Sequence, residues 1–476
     1  MSIRVLRWSV PVAGVLLVVA GLLVLGRAGD GLRTGSVRAE GVPMEIVRPD
    51  TDGPDRPAVV VAHGFAGSGR LMRPFADTLA RRGYVVALPD LAGHAASPRP
   101  LTGEGDVDRD LDAAIRSVRA LPGVDPARVV LVGHSMGAAA VVRAGTRDRR
   151  IAATVAISLG DDAAAAARPG PRRLLLLLGA LEPAGIGATS EAADGDRLVR
   201  VPLVEHIGVL YADRTHHETA RWLDQAVGNR PERPVIAAKR RLAAGALLLT
   251  GMLLLVLAAT GRRARRLRPA LPARGTWPAI ALGTAAAAPA GLAGGTVLWA
   301  TMQATVCGYV IGYFAGAGTA LSVAAMVIRR GTGPRLRLPS WRSAASAAAL
   351  TLAGPAAVVI PIHLGLTSAV PYGAHRTLLI LLAAATALLL AAAHALAGPP
   401  WSAVVLALVC TPLPLAAVIG AAPGFLALVT PLIAGLLALH LLVAGCAWLG
   451  GIPWWRTVAA GALTVAWPVA TALPIA

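Results

Sequence analysis

The pentapeptide Gly133-His134-Ser135-Met136-Gly137 carries the strongest chemical signal in the chain. It follows the apolar run 128–132 and precedes the helical stretch AAAVVRAG. A serine in that place, with glycine two residues away on each side, fits a sharp strand–turn–helix bend that pushes the hydroxyl out of a sheet. The N-terminus of the following helix favours negative charge developing there. These are the requirements of a serine that attacks an acyl carbon. A second signal is His63-Gly64-Phe65, after the apolar run 57–62. Gly64 lets the backbone turn so that the Phe65 N–H faces the serine. With the Met136 N–H it would form an oxyanion hole, usually a large electrostatic contribution in acyl transfer. Gly64, Gly67 and Gly69 are not followed by the Lys-Ser/Thr pair of a phosphate loop.

A nucleophilic serine needs a base, and His206, His216 and His217 compete for that role. His206 closes the apolar-rich run 197–206. His216 and His217 open a helical segment, where a solvated turn is the ordinary reading. Gly133, Gly137, His63 and His134 belong to the motifs and support their loops, and His94 lies in a loop of its own. Candidate carboxylates are Glu182, after the run 172–179, and Asp161 and Asp162, after the run 151–158.

The elements that must position these groups alternate. Apolar runs at 57–64, 84–90, 128–135, 151–158, 172–179 and 197–206 read as strands, several of them apolar throughout, as strands buried on both faces are. Helical spacing follows the first run and recurs at 109–121 and 217–227. Alternation of this kind predicts a mostly parallel sheet covered on both faces. Only thirteen residues separate the runs 151–158 and 172–179, too few for a large cap, so an open or shallow site is expected.

At these residues the chain resembles the serine α/β-hydrolase superfamily, in particular its small esterase, lipase and dienelactone-hydrolase-like members. The resemblance covers about residues 40–228 and rests on HGF (63–65), LPDLAGHAAS (88–97) and GHSMG (133–137). It implies an α/β-hydrolase fold with a short lid and the chain order nucleophile, acid, histidine. It further implies an acid three residues past a glycine at a strand end, which is the spacing of Glu182 from Gly179. The catalytic set so implied is Ser135, His206 and Glu182, with Asp161 and Asp162 as the alternative acids. The activity implied is cleavage of an ester or related acyl substrate, with acyl transfer as a variant and a ligand-binding transport or sensing protein as the competing class. No cofactor or metal is implied.

Composition places this polar segment in an unusual setting. Of 476 residues, 55% are hydrophobic and 15% charged, against about 25% charged in a soluble domain. All 26 Asp and Glu fall between residues 27 and 238, a segment that is nearly neutral because it also holds 27 Arg. Residues 239–476 hold 16 basic and no acidic residues. The net charge of +19 therefore belongs to the flanks of apolar segments and not to a nucleic-acid-binding face. Without carboxylates, that half lacks the usual groups of a proton relay.

Residues 8–26 are uncharged and long enough to cross a core of ~30 Å. They predict an uncleaved anchor over 1–27, since LGRAGDGL is a poor signal-peptide cleavage site. The uncharged runs 242–261, 275–328, 343–375, 377–455 and 457–476 hold one, two, one, three and one spans, at about 20 residues each. The predicted organisation is an anchor (1–27), a hydrolase domain (36–230) and an eight-helix transmembrane domain (240–476). The loops 262–274 and 329–342 carry six and five Arg. By the positive-inside rule they lie in the cytoplasm with Arg4 and Arg7, which puts the hydrolase domain outside the cell membrane. Lys239, Arg240 and Arg241 fall outside on this scheme, against the rule. His363, His394 and His440 lie in apolar runs, where a local hydrogen bond is a commoner role than a pore, haem or metal ligand. The expected partners are an ester or lipid substrate and the bilayer, with no nucleic acid; the oligomeric state is left open.

Overall fold

The computed structural model describes residues 3–51, 53–160, 169–193, 195–231, 235–260, 276–302, 306–328, 341–398, 401–450 and 452–476. Asp161, Asp162, most of the expected lid and the loop 262–274 lie outside the described residues, as does nearly all of the loop 329–342. The strands are β1 (Leu32–Ala39), β2 (Val42–Pro49), β3 (Arg56–Ala62), β4 (Val85–Pro89), β5 (Val124–His134), β6 (Thr154–Ile157), β7 (Leu174–Gly179) and β8 (Arg197–Val201). They form one sheet of eight in the order β1-β2-β4-β3-β5-β6-β7-β8. From β4 to β8 every pairing is parallel, while β1 and β2 join as an antiparallel edge. The helices α2 (Arg73–Ala80), α3 (Glu104–Arg119), α4 (Met136–Arg147), α5 (Ala184–Ala192) and α6 (Asp213–Val227) belong to the same domain.

The sheet has a buried core on each face. Val59, Val61, Val130, Val132 and Val155 point to one and Ala58, Val60, Ala62, Val129 and Leu131 to the other. This alternation within uninterrupted apolar runs is what two covered faces require. Two expectations are corrected here. The edge pair β1–β2 starts at Leu32, ahead of the expected domain start at 36, and was not foreseen as strands because β1 is largely exposed and has no apolar run. The last strand stops at Val201 and does not reach His206. Pro202 has no N–H to continue the ladder, and Leu203 takes a left-handed φ of 61°.

The remaining helices are α1 (Ile3–Ala28), α7 (Arg240–Thr260), α8 (Trp277–Thr301), α9 (Val306–Ile328), α10 (Trp341–Gly365), α11 (His375–Ala397), α12 (Ser402–Cys410), α13 (Pro412–Val418), α14 (Leu426–Leu449) and α15 (Trp455–Ala472). Among the described residues seven helices are long and apolar enough to cross a membrane, which suggests a multi-pass membrane protein. The eight spans expected in the five runs after the polar segment fall on helices, with two departures from simple spans. One is broken into α12 and α13 at Thr411-Pro412, and α15 is not among the seven. Small residues set the close crossings, as in membrane helix pairs. Gly14 on α1 meets Gly251 on α7, and Gly294 on α8 meets Gly312 on α9.

The two halves are joined by buried charge as well as by chain. Arg241, at the start of α7, donates from Nε to Asp77 Oδ2 on α2 at 2.6 Å. Asp77 also accepts from Arg73 Nε at 3.1 Å, and Arg73 pairs with Glu45 on β2. Lys239 pairs with Asp213 at 2.7 Å. Two of the three basic residues that run against the charge rule are therefore spent on carboxylates of the sheet domain.

A packing prediction follows. A Cβ at Gly312 would stand 2.1 Å from the Gly294 carbonyl oxygen, whereas nothing lies within 4 Å of one at Gly435. Overpacking costs about 1–3 kcal/mol or more. Gly312→Leu should lower the thermal unfolding midpoint of the full chain in detergent, and Gly435→Leu should leave it nearly unchanged. Equal midpoints for the two variants would contradict this packing.

Candidate active site

Ser135 stands between the last residue of β5 and the first of α4, with φ 53° and ψ −118°. Such a conformation costs on the order of 1–3 kcal/mol in a non-glycine residue. The flanking glycines make it possible. A Cβ on Gly133 would stand 2.2 Å from the Gly137 carbonyl oxygen, and one on Gly137 would stand 2.6 Å from the carbonyl oxygens of Ala62 and His63. The bend is fixed to the neighbouring strand by Ser135 N–H, which donates to the Ile157 carbonyl at 2.9 Å. The hydroxyl-bearing residue is half-buried and lines a cavity of about 370 Å³ with Met136, Ala139, Leu101, Glu104 and Arg143.

Parallel register delivers the other groups to the same edge. His134 pairs with Ile157, Ile157 with Leu177, and Gly179 with Val201. The residues just beyond these strand ends include Ser135, Ser158, Glu182 and His206. Such carboxyl edges are where open α/β sheets place their sites. His206 Nδ1 lies 2.8 Å from Glu182 Oε2, and both side chains are nearly closed to solvent. An ionised carboxylate can only accept, so Nδ1 carries the proton and Nε2 of the neutral ring is left as the basic atom. The second carboxylate oxygen, Oε1, accepts from Ser158 Oγ. His134 Nε2 donates to the His206 carbonyl at 2.9 Å and so ties the His206 main chain to the residue before Ser135. The structure thus unites Glu182 with His206. No hydrogen bond joins Ser135 Oγ to that imidazole among the described residues. Such bonds are often long until substrate arrives.

The competing histidines have other work. His216 is buried and stacked on Phe75 with ring centres 4.1 Å apart. Its Nε2 donates to the Leu210 carbonyl at 2.9 Å and its Nδ1 accepts from Thr78 Oγ1 at 3.1 Å. His217 is exposed on the first turn of α6. His63 and His94 brace the loop that bears Phe65. His63 Nε2 accepts from Leu91 N–H and His94 Nε2 accepts from Ala66 N–H, each at 3.1 Å. Their Nδ1 atoms donate to the Gly64 and Ala92 carbonyls, each at 2.8 Å. Asp90 completes the brace by accepting from Gly69 N–H at 2.9 Å and Ala96 N–H at 3.2 Å. This accounts for the LPDLAGHAAS segment. Gly64 permits the turn, for a Cβ there would come 2.9 Å from His134 Nδ1. Met136 opens α4, so its N–H has no partner within the helix and can serve an oxyanion. In the bundle, His363 Nδ1 accepts from Ala369 N–H at 3.2 Å and His394 Nδ1 donates to the Leu390 carbonyl at 2.8 Å, the local roles expected of them, whereas His440 departs from that expectation: it is buried with Nε2 unpartnered among the described residues.

Two contributions were not read from sequence. The first is Ser158, which holds the second carboxylate oxygen of Glu182. It follows strand β6 directly, and its place between the serine and carboxylate strands was the available signal. The second is the bundle, which touches the site. The Phe65 ring packs edge-on against Phe425 at 4.3 Å between centres. Ser68 Oγ lies 2.8 Å from Thr367 Oγ1, and Arg70 donates to the His363 carbonyl at 3.2 Å. Leu101 N–H donates to the Ile475 carbonyl at 2.8 Å, and Ile475 N–H to the Gly93 carbonyl at 2.9 Å. Only the fold could pair residues so distant in the chain.

Comparison with known proteins agrees with this architecture. The family model described as serine aminopeptidase, S33 matches residues 53–184. The chain is 32% identical over 114 residues to the quorum-quenching protein AidA of Acinetobacter baumannii, covering 23% of this chain and 37% of AidA. It is 36% identical over 125 residues to epoxide hydrolase A of Mycobacterium tuberculosis, covering 26% of this chain and 37% of that protein. The chain thus spans well under half the length of these curated relatives. Among solved structures, a putative dienelactone hydrolase from Klebsiella pneumoniae is similar at 20% identity and a TM-score of 0.32, over 41% of this chain and 96% of that one. A hypothetical protein, PA2218, from Pseudomonas aeruginosa is similar at 16% identity and a TM-score of 0.35, over 42% and 94%. Residues 53–184 carry an α/β-hydrolase domain.

The buried histidines set a pH dependence. Burial pushes His63 and His216 down to about 4, and His94 and His134 down to about 3, from an ordinary value of 6.5. The unfolded chain therefore binds more protons than the folded one as pH falls below 6.5, and stability drops across the window from 6.5 to about 4. Asp90, raised by burial to about 6, acts oppositely between about 6 and 3.8. Four histidines outweigh one carboxyl. The denaturation midpoint of the full chain in detergent should be lower at pH 5 than at pH 7.5, and a flat or rising midpoint would contradict the buried neutral assignment.

Proposed function

We propose that the chain is a membrane-tethered serine hydrolase that cleaves an ester or related acyl substrate through Ser135, His206 and Glu182. The observation that carries this reading is the buried Glu182–His206 pair at the sheet edge that also bears the strained Ser135. In the proposed reaction His206 Nε2 takes the Ser135 proton as Oγ attacks the acyl carbon. Glu182 orients the ring and stabilises the imidazolium, and Ser158 holds the far oxygen of that carboxylate. The N–H groups of Phe65 and Met136 bind the oxyanion, and each such donor is worth about 3 kcal/mol. The imidazolium returns its proton to the leaving group as the acyl-enzyme forms. Water, activated by the same nitrogen, then releases the acid and restores the serine. An alcohol in place of water would give acyl transfer by the same steps. A purely ligand-binding domain has no use for a nucleophile at a strained bend together with a preformed acid–base pair.

The same reading assigns an anchor over 1–27, a hydrolase domain over 36–230 and a bundle over 240–476, with the hydrolase domain outside the cytoplasm. The pairing of Lys239 and Arg241 with Asp213 and Asp77 supports that orientation, because it removes their weight from the charge bias.

Kinetics on a soluble ester test the roles. Ser135→Ala should abolish turnover. His206→Gln should lower kcat by several orders of magnitude, on the scale of a coupled triad, while His216→Gln should change it by less than about tenfold. The reverse order for the two histidines would move the base to His216. For orientation, Arg150 is well exposed, with 77% of its side chain open to solvent. Arg150→Cys should react with a membrane-impermeant thiol reagent in intact cells; protection until lysis would contradict the outward placement.

A further inference from the structure

The hydrolase domain shows few large apolar side chains to solvent. Among its described residues these are Leu181, Leu198, Leu203 and Ile207. Three of the four are chain neighbours of the proposed acid and base. Leu181 precedes Glu182, Ile207 follows His206, and Leu203 stands in the turn between β8 and His206. Leu203 is 89% exposed and Leu181 63%. Leu203 also holds a left-handed φ of 61°, a strained conformation for a branched side chain.

These residues are not on a slack loop. Ala180 N–H donates to the Val201 carbonyl at 2.8 Å, and Leu181 N–H to the Val204 carbonyl at 3.0 Å. The Glu205 carboxylate accepts from Ile207 N–H at 2.6 Å and Gly208 N–H at 2.8 Å. The two turns are therefore pinned together with their leucines outward. A rigid apolar ridge in water, one residue holding it under backbone strain, marks a contact surface.

The place of the ridge identifies what it contacts. It lies at the carboxyl edge of the sheet, and that edge is the one docked on the apolar bundle. Phe65 meets Phe425, Ser68 meets Thr367, and Leu101 meets Ile475. Leu366, from the segment after α10, packs against the same core cluster as Val201 and Val204. The bundle residues that meet this edge, Thr367, Phe425 and Ile475, stand just beyond the ends of α10, α14 and α15, so the edge that bears the ridge faces the helix ends. There a bilayer holding the bundle presents its surface.

We propose that Leu181, Leu203 and Ile207 dip into the lipid surface of the membrane that holds the bundle, and that the substrate of Ser135 is an ester-bearing lipid drawn from that surface. The substrate half rests on the hydrolase reading above; the insertion half does not. The lipid ester bond breaks as Ser135 takes the acyl group, and the lipid alcohol departs with the proton from His206.

The test uses the full chain in nanodiscs of phosphatidylglycerol and phosphatidylcholine, with Cys307, Cys410 and Cys446 replaced by Ala. An NBD fluorophore on Leu203→Cys should be quenched by lipid carrying a doxyl group on the fifth acyl carbon and shielded from iodide. The same fluorophore on Asp55→Cys, at the opposite sheet edge, should show the reverse. Iodide quenching at 203 equal to that at 55 would overturn the insertion. In the second arm, Leu181→Gln/Leu203→Gln/Ile207→Gln should cut cleavage of a bilayer-borne fluorogenic lipid ester at least tenfold. Cleavage of soluble p-nitrophenyl butyrate should stay within threefold. Parallel loss on both esters, or loss on neither, would overturn the lipid-substrate assignment. If the unsubstituted chain cleaved neither ester, the hydrolase reading and the substrate half would fall together, and the fluorophore depth would still decide the ridge.

Discussion

The site depends on one close approach, that of Gly133 to Gly137 across the turn that holds Ser135. The glycine pair lets α4 start directly on the end of β5, and any side chain on either would strike backbone 2.2–2.6 Å away. That contact holds Ser135 in its positive-φ conformation at the junction of β5 and α4, with Met136 as the first residue of the helix. The strain of about 1–3 kcal/mol is sustained because strands on both sides are buried and in register. A slip of one residue in β5 would exchange the side chains of its two buried faces and carry Ser135 off the turn. The sheet thus fixes Ser135, and parallel register brings Glu182 and His206, each from the turn past its strand, to the same edge.

The second constraint is the union of the sheet domain with the helical bundle. The buried carboxylate of Asp77 meets Arg241 at the start of α7, and the loop that bears Phe65 is clamped between His63, His94 and Phe425. The bundle is thereby part of the wall of the site as well as an anchor. A domain cut free of it would lose the ring that packs on Phe65 and the partners of Ser68 and Arg70.

Much of this architecture was legible because it rests on local rules. The apolar runs of β3 to β7 announce buried strands, the glycine spacing announces the bend, and the three residues from Gly179 put Glu182 where it meets His206. The antiparallel pair β1–β2 was not legible, since its outer strand faces water and has no run to recognise. The end of β8 was misplaced because apolar character continues through Leu203 and Val204, while Pro202 and the left-handed Leu203 end the ladder. The break of α12 from α13 is a matter of local chain geometry within an uncharged stretch. The support of Glu182 by Ser158, and of Phe65 by Phe425, depends on which strands and helices become neighbours. Spacing along one chain carries no record of that.

The central claim is that Ser135 is an activated nucleophile. Its most direct test is peptide mapping by mass spectrometry after the folded full chain is treated with a fluorophosphonate. The account predicts a single phosphonyl adduct, on the peptide containing Ser135, that is lost when His206 is replaced by Gln. A folded chain that gains no adduct at Ser135, or gains one at another serine instead, would contradict it.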